Sequence, residues 1–168
     1  MASLSRVRVI HSGFGEEKRL AGLNAPLLLS GTLRYVAPSY LEKRIEQPVE
    51  ETVQVDGDRL RYSKPADGID RFVGLDDAPE LRALVEAVRA TLAGDLVALE
   101  HHYRVAYADD GPGWRLTLTP RDAGVAALVE SMRIEGEAAR LSAVLTVEAN
   151  GDTSVMTLDP GQEILPRP

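Results

Sequence analysis

Alternation of apolar and polar positions governs the first third of the chain. From Leu29 to Val36, the residues Leu29, Leu33 and Tyr35 fall on one face of an extended segment and Ser30, Thr32 and Arg34 on the other. Ala37-Pro38-Ser39 interrupts the pattern, which resumes from Tyr40 to Gln47 with Leu41 and Ile45 facing together. Thr52 to Val55 predicts another strand, Asp56-Gly57 a hairpin turn of the kind that takes positive φ, and Arg59 to Tyr62 the returning strand. Val7 to Leu23 reads as extended, with a break near Gly13 and Gly15. The pattern predicts an antiparallel meander with one apolar face.

The period then changes. Leu81, Leu84, Val85, Val88 and Leu92 recur at i, i+3, i+4, i+7 and i+11, a single helical stripe. Asp77 is placed to cap this helix, with Glu80 three residues on, Pro79 in the first turn and Gly94 after the end. Asp95 caps a second short helix to about Glu100. Burying each large side chain of the stripe is worth roughly 1.5–3 kcal/mol before entropy, so the helix must lie on an apolar surface. The sheet face is the large apolar surface available.

Strand alternation returns at Tyr103, Val105 and Tyr107 and again at Trp114, Leu116 and Leu118, across a turn at Asp109-Asp110-Gly111-Pro112-Gly113. Pro120-Arg121-Asp122 opens another short helix to Val129. Met132–Glu135 and Arg140–Glu148 are strands, and Asn150-Gly151 turns the chain into Thr153–Leu158. The expected fold is α+β, mainly β: a curved antiparallel sheet covered on its apolar face by the central helix. One domain is expected over 1–158, with 159–168, which contains Pro160, Pro166 and Pro168, as a flexible coil tail. Periodicity leaves open whether the face beneath the helix is ordinary core or a cavity with a lid.

Composition narrows the classes. The chain has 168 residues, 44% of them apolar, with 19 Lys and Arg against 26 Asp and Glu and a net charge of −7. That composition excludes a disordered chain, and dispersed arginine in an acidic chain argues against nucleic acid as a partner. No apolar run reaches the roughly 18 residues of a membrane-spanning helix. Met1 to Ile10 lacks the apolar run of a secretion signal, which points to a cytoplasmic protein or a mature form. With no cysteine, disulfides and thiolate chemistry are excluded.

Candidate chemistry is sparse. His11, His101 and His102 are the imidazoles, and the adjacent pair diverges on a strand, which suits a surface or a helix end better than a metal. No Gly-x-Ser-x-Gly elbow exposes a serine, and Gly13-Phe14-Gly15 lacks the third glycine of a dinucleotide loop. The acidic pairs Glu16-Glu17, Glu50-Glu51, Asp76-Asp77 and Asp109-Asp110 read as solvated strand or turn residues. The expectation is therefore no catalytic residue, no cofactor and no metal.

The order of motifs resembles one known family. Phe14-Gly15-Glu16-Glu17-Lys18 with Leu20, then Pro26-Leu27 and Ser30-Gly31-Thr32-Leu33-Arg34-Tyr35, resembles the opening of the LolA-like outer-membrane lipoprotein carriers. Ala37-Pro38-Ser39-Tyr40-Leu41, Pro48 and Val55-Asp56-Gly57-Asp58-Arg59-Leu60 follow in the family's order. So do Leu92-Ala93-Gly94-Asp95, Leu99 with Tyr103-Arg104-Val105, and the run from Trp114 to Asp122. The likeness covers Phe14 to Leu158. It departs at Ala37, where the family carries an arginine that links sheet to lid, and in a short or absent helix before Phe14.

The resemblance implies an unclosed half-barrel with helices as a lid over an apolar cavity. It implies a periplasmic, monomeric carrier that takes acylated lipoprotein from an inner-membrane donor and passes it to an outer-membrane acceptor. The departures point to a divergent branch, with a lipid or polyene acyl chain as alternative cargo. On this reading the cavity is lined by Leu33, Tyr35, Leu41, Val53, Val55, Leu60, Trp114, Leu116 and Leu118, and Leu81, Leu84, Val85, Val88 and Leu92 form the lid's underside. The alternative is a protein-interaction or sensor module on the same scaffold, without lipid transport.

Overall fold

The longest strand sets the topology. In the computed structural model, which describes residues 3–166, β1 (Val7–Arg19) pairs along one edge with β2 (Leu27–Val36). Its other edge is shared: β12 (Glu163–Pro166) takes the Val7–His11 half and β11 (Thr153–Leu158) takes Phe14–Arg19. The meander continues from β2 through β3 (Tyr40–Gln47), β4 (Glu51–Asp56) and β5 (Arg59–Lys64) to β6 (Ile69–Gly74). A second meander runs through β7 (Tyr103–Asp110), β8 (Gly113–Pro120), β9 (Val129–Glu137) and β10 (Arg140–Glu148) into β11. The order across the sheet is β6-β5-β4-β3-β2-β1-β11-β10-β9-β8-β7, every pair antiparallel.

The edges β6 and β7 stay unjoined, so the sheet is an unclosed half-barrel. Because these two strands are opposite edges, the segment that connects them has to cross the sheet's concave side. It does so as a 3₁₀ turn (Leu75–Asp77), α1 (Pro79–Ala93) and α2 (Leu96–His102). A third short helix, α3 (Ala123–Ala126), follows β8 and is capped by Asp122, whose carboxylate accepts from the Gly124 and Val125 amides.

Three sequence expectations change, and one strand went unread. β1 runs unbroken through Gly13 and Gly15. A Cβ on Gly13 would lie 2.2 Å from the Asp159 carboxylate, and the Asp159 amide donates to the Gly13 carbonyl, so the glycine admits a crossing chain instead of ending a strand. The α1 N-cap is Ala78, with no side-chain bond, and Asp77 closes the preceding 3₁₀ turn. Pro79 marks the shift: at the first helical position it has no N–H to satisfy, and it keeps Ala78 out of the helical region, at φ −139° and ψ 71°. The strand β6 was not legible, its Asp70-Arg71-Phe72 being exposed and without alternation. Finally, residues 163–166 form a paired strand where coil was expected.

The core lies between the concave face and the helices, in two clusters. The larger contains Ile10, Phe14, Leu33, Tyr35, Leu92, Leu116, Leu118 and Ile134, drawing on both halves of the sheet. The smaller gathers Val55, Leu60, Leu75 and Val85 under the start of α1.

Candidate functional site

Both groups of candidate lining residues point inward. Leu33, Tyr35, Leu41, Val55, Leu60, Trp114, Leu116 and Leu118 are buried and Val53 is half-buried. They are not one continuous wall: Val53, Val55 and Leu60 meet Leu81 and Val85 in the smaller cluster. The other six belong to the larger cluster with Leu92, Leu84 and Val88. Sequence reasoning left out β1 and β9 to β11, where Ile10, Phe14, Met132, Ile134, Leu141, Val144, Met156 and Leu158 complete the wall. Alternation was visible in those segments, and Phe14 stood in a motif that carried the resemblance, but none of them was read as lining.

Helix α1 does not bury the expected stripe most deeply. Val85 and Leu92 are buried, whereas Leu81, Leu84 and Val88 are half-buried. Ala83, Ala87, Ala90 and Thr91, buried as deeply as Leu92, form a second stripe one step around the helix. Small residues there let α1 approach its neighbours closely while the larger side chains reach the sheet from its flanks.

Polar ties hold this cover in place. The Tyr103 hydroxyl donates to the Ala83 carbonyl at 2.6 Å, and burial, then the nearby Glu86 carboxylate, pushes that phenol far above its usual pKa. Arg89, buried on α1, donates to the carbonyls of Ser39 and Gly57 in two different hairpins and pairs with Glu86. One charged pair also enters the concave face: Lys43 Nζ donates to Glu16 Oε2 at 2.7 Å and lies 5.3 Å from the Phe14 ring centroid. Glu16 is thus buried, which corrects its reading as a solvated strand residue.

The convex face is polar and open. A cavity of about 580 Å³ there is lined by His11, Arg34, Glu42, Arg44 and Glu163 among others. Beside it, burial and then a hydrogen bond to Glu42 push Tyr40 up to about 12. Burial would raise the Glu42 carboxyl, but bonds from Gln54 and Tyr40 with Arg34 and Arg44 nearby outweigh it and hold Glu42 below the usual range. His101 and His102 end α2. Among the described residues no group of three or more acidic or imidazole side chains is placed to hold a metal, and no helix is long and apolar enough to cross a membrane.

An unclosed antiparallel half-barrel whose edge-to-edge connection lies as helices over an apolar concave face matches the architecture that the motif order implied. The sequence also matches, over residues 1–162, the family described as outer membrane lipoprotein carrier protein LolA-like. The chain belongs to that family.

Two solved structures share this fold at low identity. A putative outer membrane lipoprotein-sorting protein domain from Vibrio parahaemolyticus is 8% identical, covers 97% of this chain and 89% of its own, and gives a TM-score of 0.54. A DUF1329 family protein from Desulfovibrio piger is 12% identical over 97% of this chain and 88% of its own, at 0.50. A LolA superfamily protein from Nitrosomonas europaea is 11% identical over 99% and 92%, at 0.49. Such identities speak for the fold alone. No curated protein matches the chain.

Proposed function

We propose that this LolA-like chain is a periplasmic carrier, not an enzyme, that shelters the acyl chains of a lipoprotein or lipid between α1 and the concave sheet face. The observation that carries the reading is the placement of α1 and α2: they cover an apolar half-barrel face yet are joined to it through its two free edges, so they can lift without unpairing the sheet. Each methylene taken from water gains roughly 0.8 kcal/mol, so about fifteen gain around 12 kcal/mol gross. Parting α1 from the sheet offsets several of these, which makes the cargo transferable. Transfer then runs from an inner-membrane donor toward an outer-membrane acceptor. The lining is the set from Leu33 to Leu118 named above, with Leu81, Leu84, Val85, Val88 and Leu92 beneath the lid.

Native mass spectrometry of the purified chain, with organic extraction of whatever it carries, tests this. A stoichiometric acylated adduct supports the carrier and names its cargo class. A cargo-free mass, together with failure to take up a fluorescent fatty acid, overturns it in favour of a protein-interaction module.

A further inference from the structure

A cavity of about 330 Å³ lies away from the sheet's inner wall, between the start of α1, the end of α2 and the β8–α3 turn. Its floor is apolar, formed in part by the buried Ala83 and Val125. Its rim carries Arg82, His101, His102, Arg121 and Asp122. Three of these are already engaged in ways that matter. Asp122 uses one carboxylate oxygen, Oδ1, which accepts from the Gly124 and Val125 amides at 2.8 and 3.3 Å. Arg82 is paired with Asp58 and Asp76 at 2.9 and 2.7 Å. Arg121 uses only its Nε, which donates to the Tyr103 carbonyl at 3.0 Å and so fixes the guanidinium plane.

The remaining donors are unspent. Among the described residues Arg121 forms no ion pair, and neither imidazole has a hydrogen-bond partner. The imidazoles stand edge to face with centroids 4.8 Å apart. A fixed guanidinium beside two imidazoles over an apolar floor is complementary to a small oxyanion that carries a hydrocarbon stem.

We propose that this cavity binds an oxyanion of the phosphate or sulfate class, free or as the headgroup of an amphiphile, on Arg121, His101 and His102. Ala83 and Val125 beneath take the first methylenes of an attached chain. The site is separate from the concave face and stands whether or not acyl chains enter there. Burial, then His101 and in the same sense Arg82, hold His102 below the ordinary imidazole range, with Glu86 opposing. Glu80 lies against Gly124 at the α3 end. A bound anion reverses the balance at His102, so binding takes up protons and tightens as pH falls.

Inorganic sulfate and octyl sulfate test this, because their charge is constant through the imidazole range. The readouts are the His101 and His102 ring resonances by NMR and the affinity by calorimetry, against sodium chloride at equal ionic strength. Saturable shifts at both rings are expected, with affinity several-fold higher at about pH 5.5 than at about 7.5. Arg121→Gln and, separately, His101→Gln should each weaken binding about tenfold. Shifts with both probes support a free-oxyanion site, and shifts with octyl sulfate alone support a headgroup site. Ring resonances that respond no more than to chloride, or an affinity unchanged in a folded variant, overturn the proposal. His101 is exposed, so its variant keeps the test available if Arg121→Gln fails to fold.

Discussion

Arg89 Nη1 on α1 donates to the Ser39 carbonyl at 3.1 Å, in the turn between β2 and β3. The same nitrogen reaches Gly57 between β4 and β5, while Nη2 holds Glu86 one turn back on the helix. A single side chain of the cover thus grips two hairpins of the sheet. Position 37, where the resemblance implies an arginine tying sheet to lid, is alanine, and here the tie comes from the helix. Replacing Arg89 by methionine removes the donors and leaves the half-buried Glu86 without its partner, at a cost of about 3 kcal/mol. The denaturant midpoint of Arg89→Met should fall accordingly, and adding Glu86→Gln should recover part of the loss. Amide exchange should quicken along α1 more than in β8 and β9. A midpoint equal to the parent's would show that the tie does not restrain the helix.

Leu84 probes the cover from its other side. It is half-buried on α1 and packs on the larger cluster. If acyl chains lie between α1 and the sheet, Leu84→Arg puts a charge against them and should abolish binding of a fluorescent fatty acid. The strand signal in circular dichroism should persist, because the sheet's hydrogen bonds do not pass through α1. A folded variant with undiminished probe affinity removes α1 from the binding site.

Trp114, the only tryptophan, lies over Gly136 on the neighbouring strand. A Cβ at Gly136 would come within 2.3 Å of Trp114 Cζ2 and of the Arg140 carbonyl, so Gly136→Ala must displace the indole. The indole N–H also donates to the Ala138 carbonyl at 3.0 Å, and that bond strains with it. The expected loss of stability is about 1–3 kcal/mol, with tryptophan emission shifted to the red. Unaltered emission and stability would mean that the β8–β9 pair adjusts freely at this point.

What the sequence disclosed follows from which signals are local. Strict alternation in Leu33-Arg34-Tyr35 and Trp114-Arg115-Leu116 placed those side chains on the buried face, and Gly94 with its left-handed φ of 68° ended α1 where a C-terminal glycine should. The missed features depend on distant partners. β12 contains Pro166 and is a strand because β1 offers it an unpaired edge beyond the end of β11. Glu16 sits next to Glu17 in sequence like any solvated pair, and only Lys43, 27 residues away, makes its burial tolerable. Arg89 in a helical run reads as an exposed charge until the two hairpins it grips are folded beneath it. The division of the lining into two clusters likewise depends on where α1 crosses, which the period of the helix does not encode.

His102 gives the protein a pH dependence with a definite sign. Its folded-state pKa lies below the ordinary value of 6.5, first because of burial and then because of His101 and Arg82, with Glu86 acting the other way. The unfolded chain therefore binds the proton more readily than the folded one. The stability this neutral imidazole supports is present above the unfolded value and is lost as pH falls through it. Melting temperature should decline on acidification from about pH 7.5 to about 5.5, and His102→Gln should flatten that decline. The lowered Glu42 carboxyl acts in the same direction, but only below its ordinary value of 4.5, so Glu42→Gln should leave the neutral-pH slope untouched. Equal slopes in the parent and His102→Gln would assign the neutral-range dependence to another group. If the proposed oxyanion site is correct, sulfate should offset the decline in the parent and do little in His101→Gln, since the bound anion favours the imidazolium that folding otherwise disfavours.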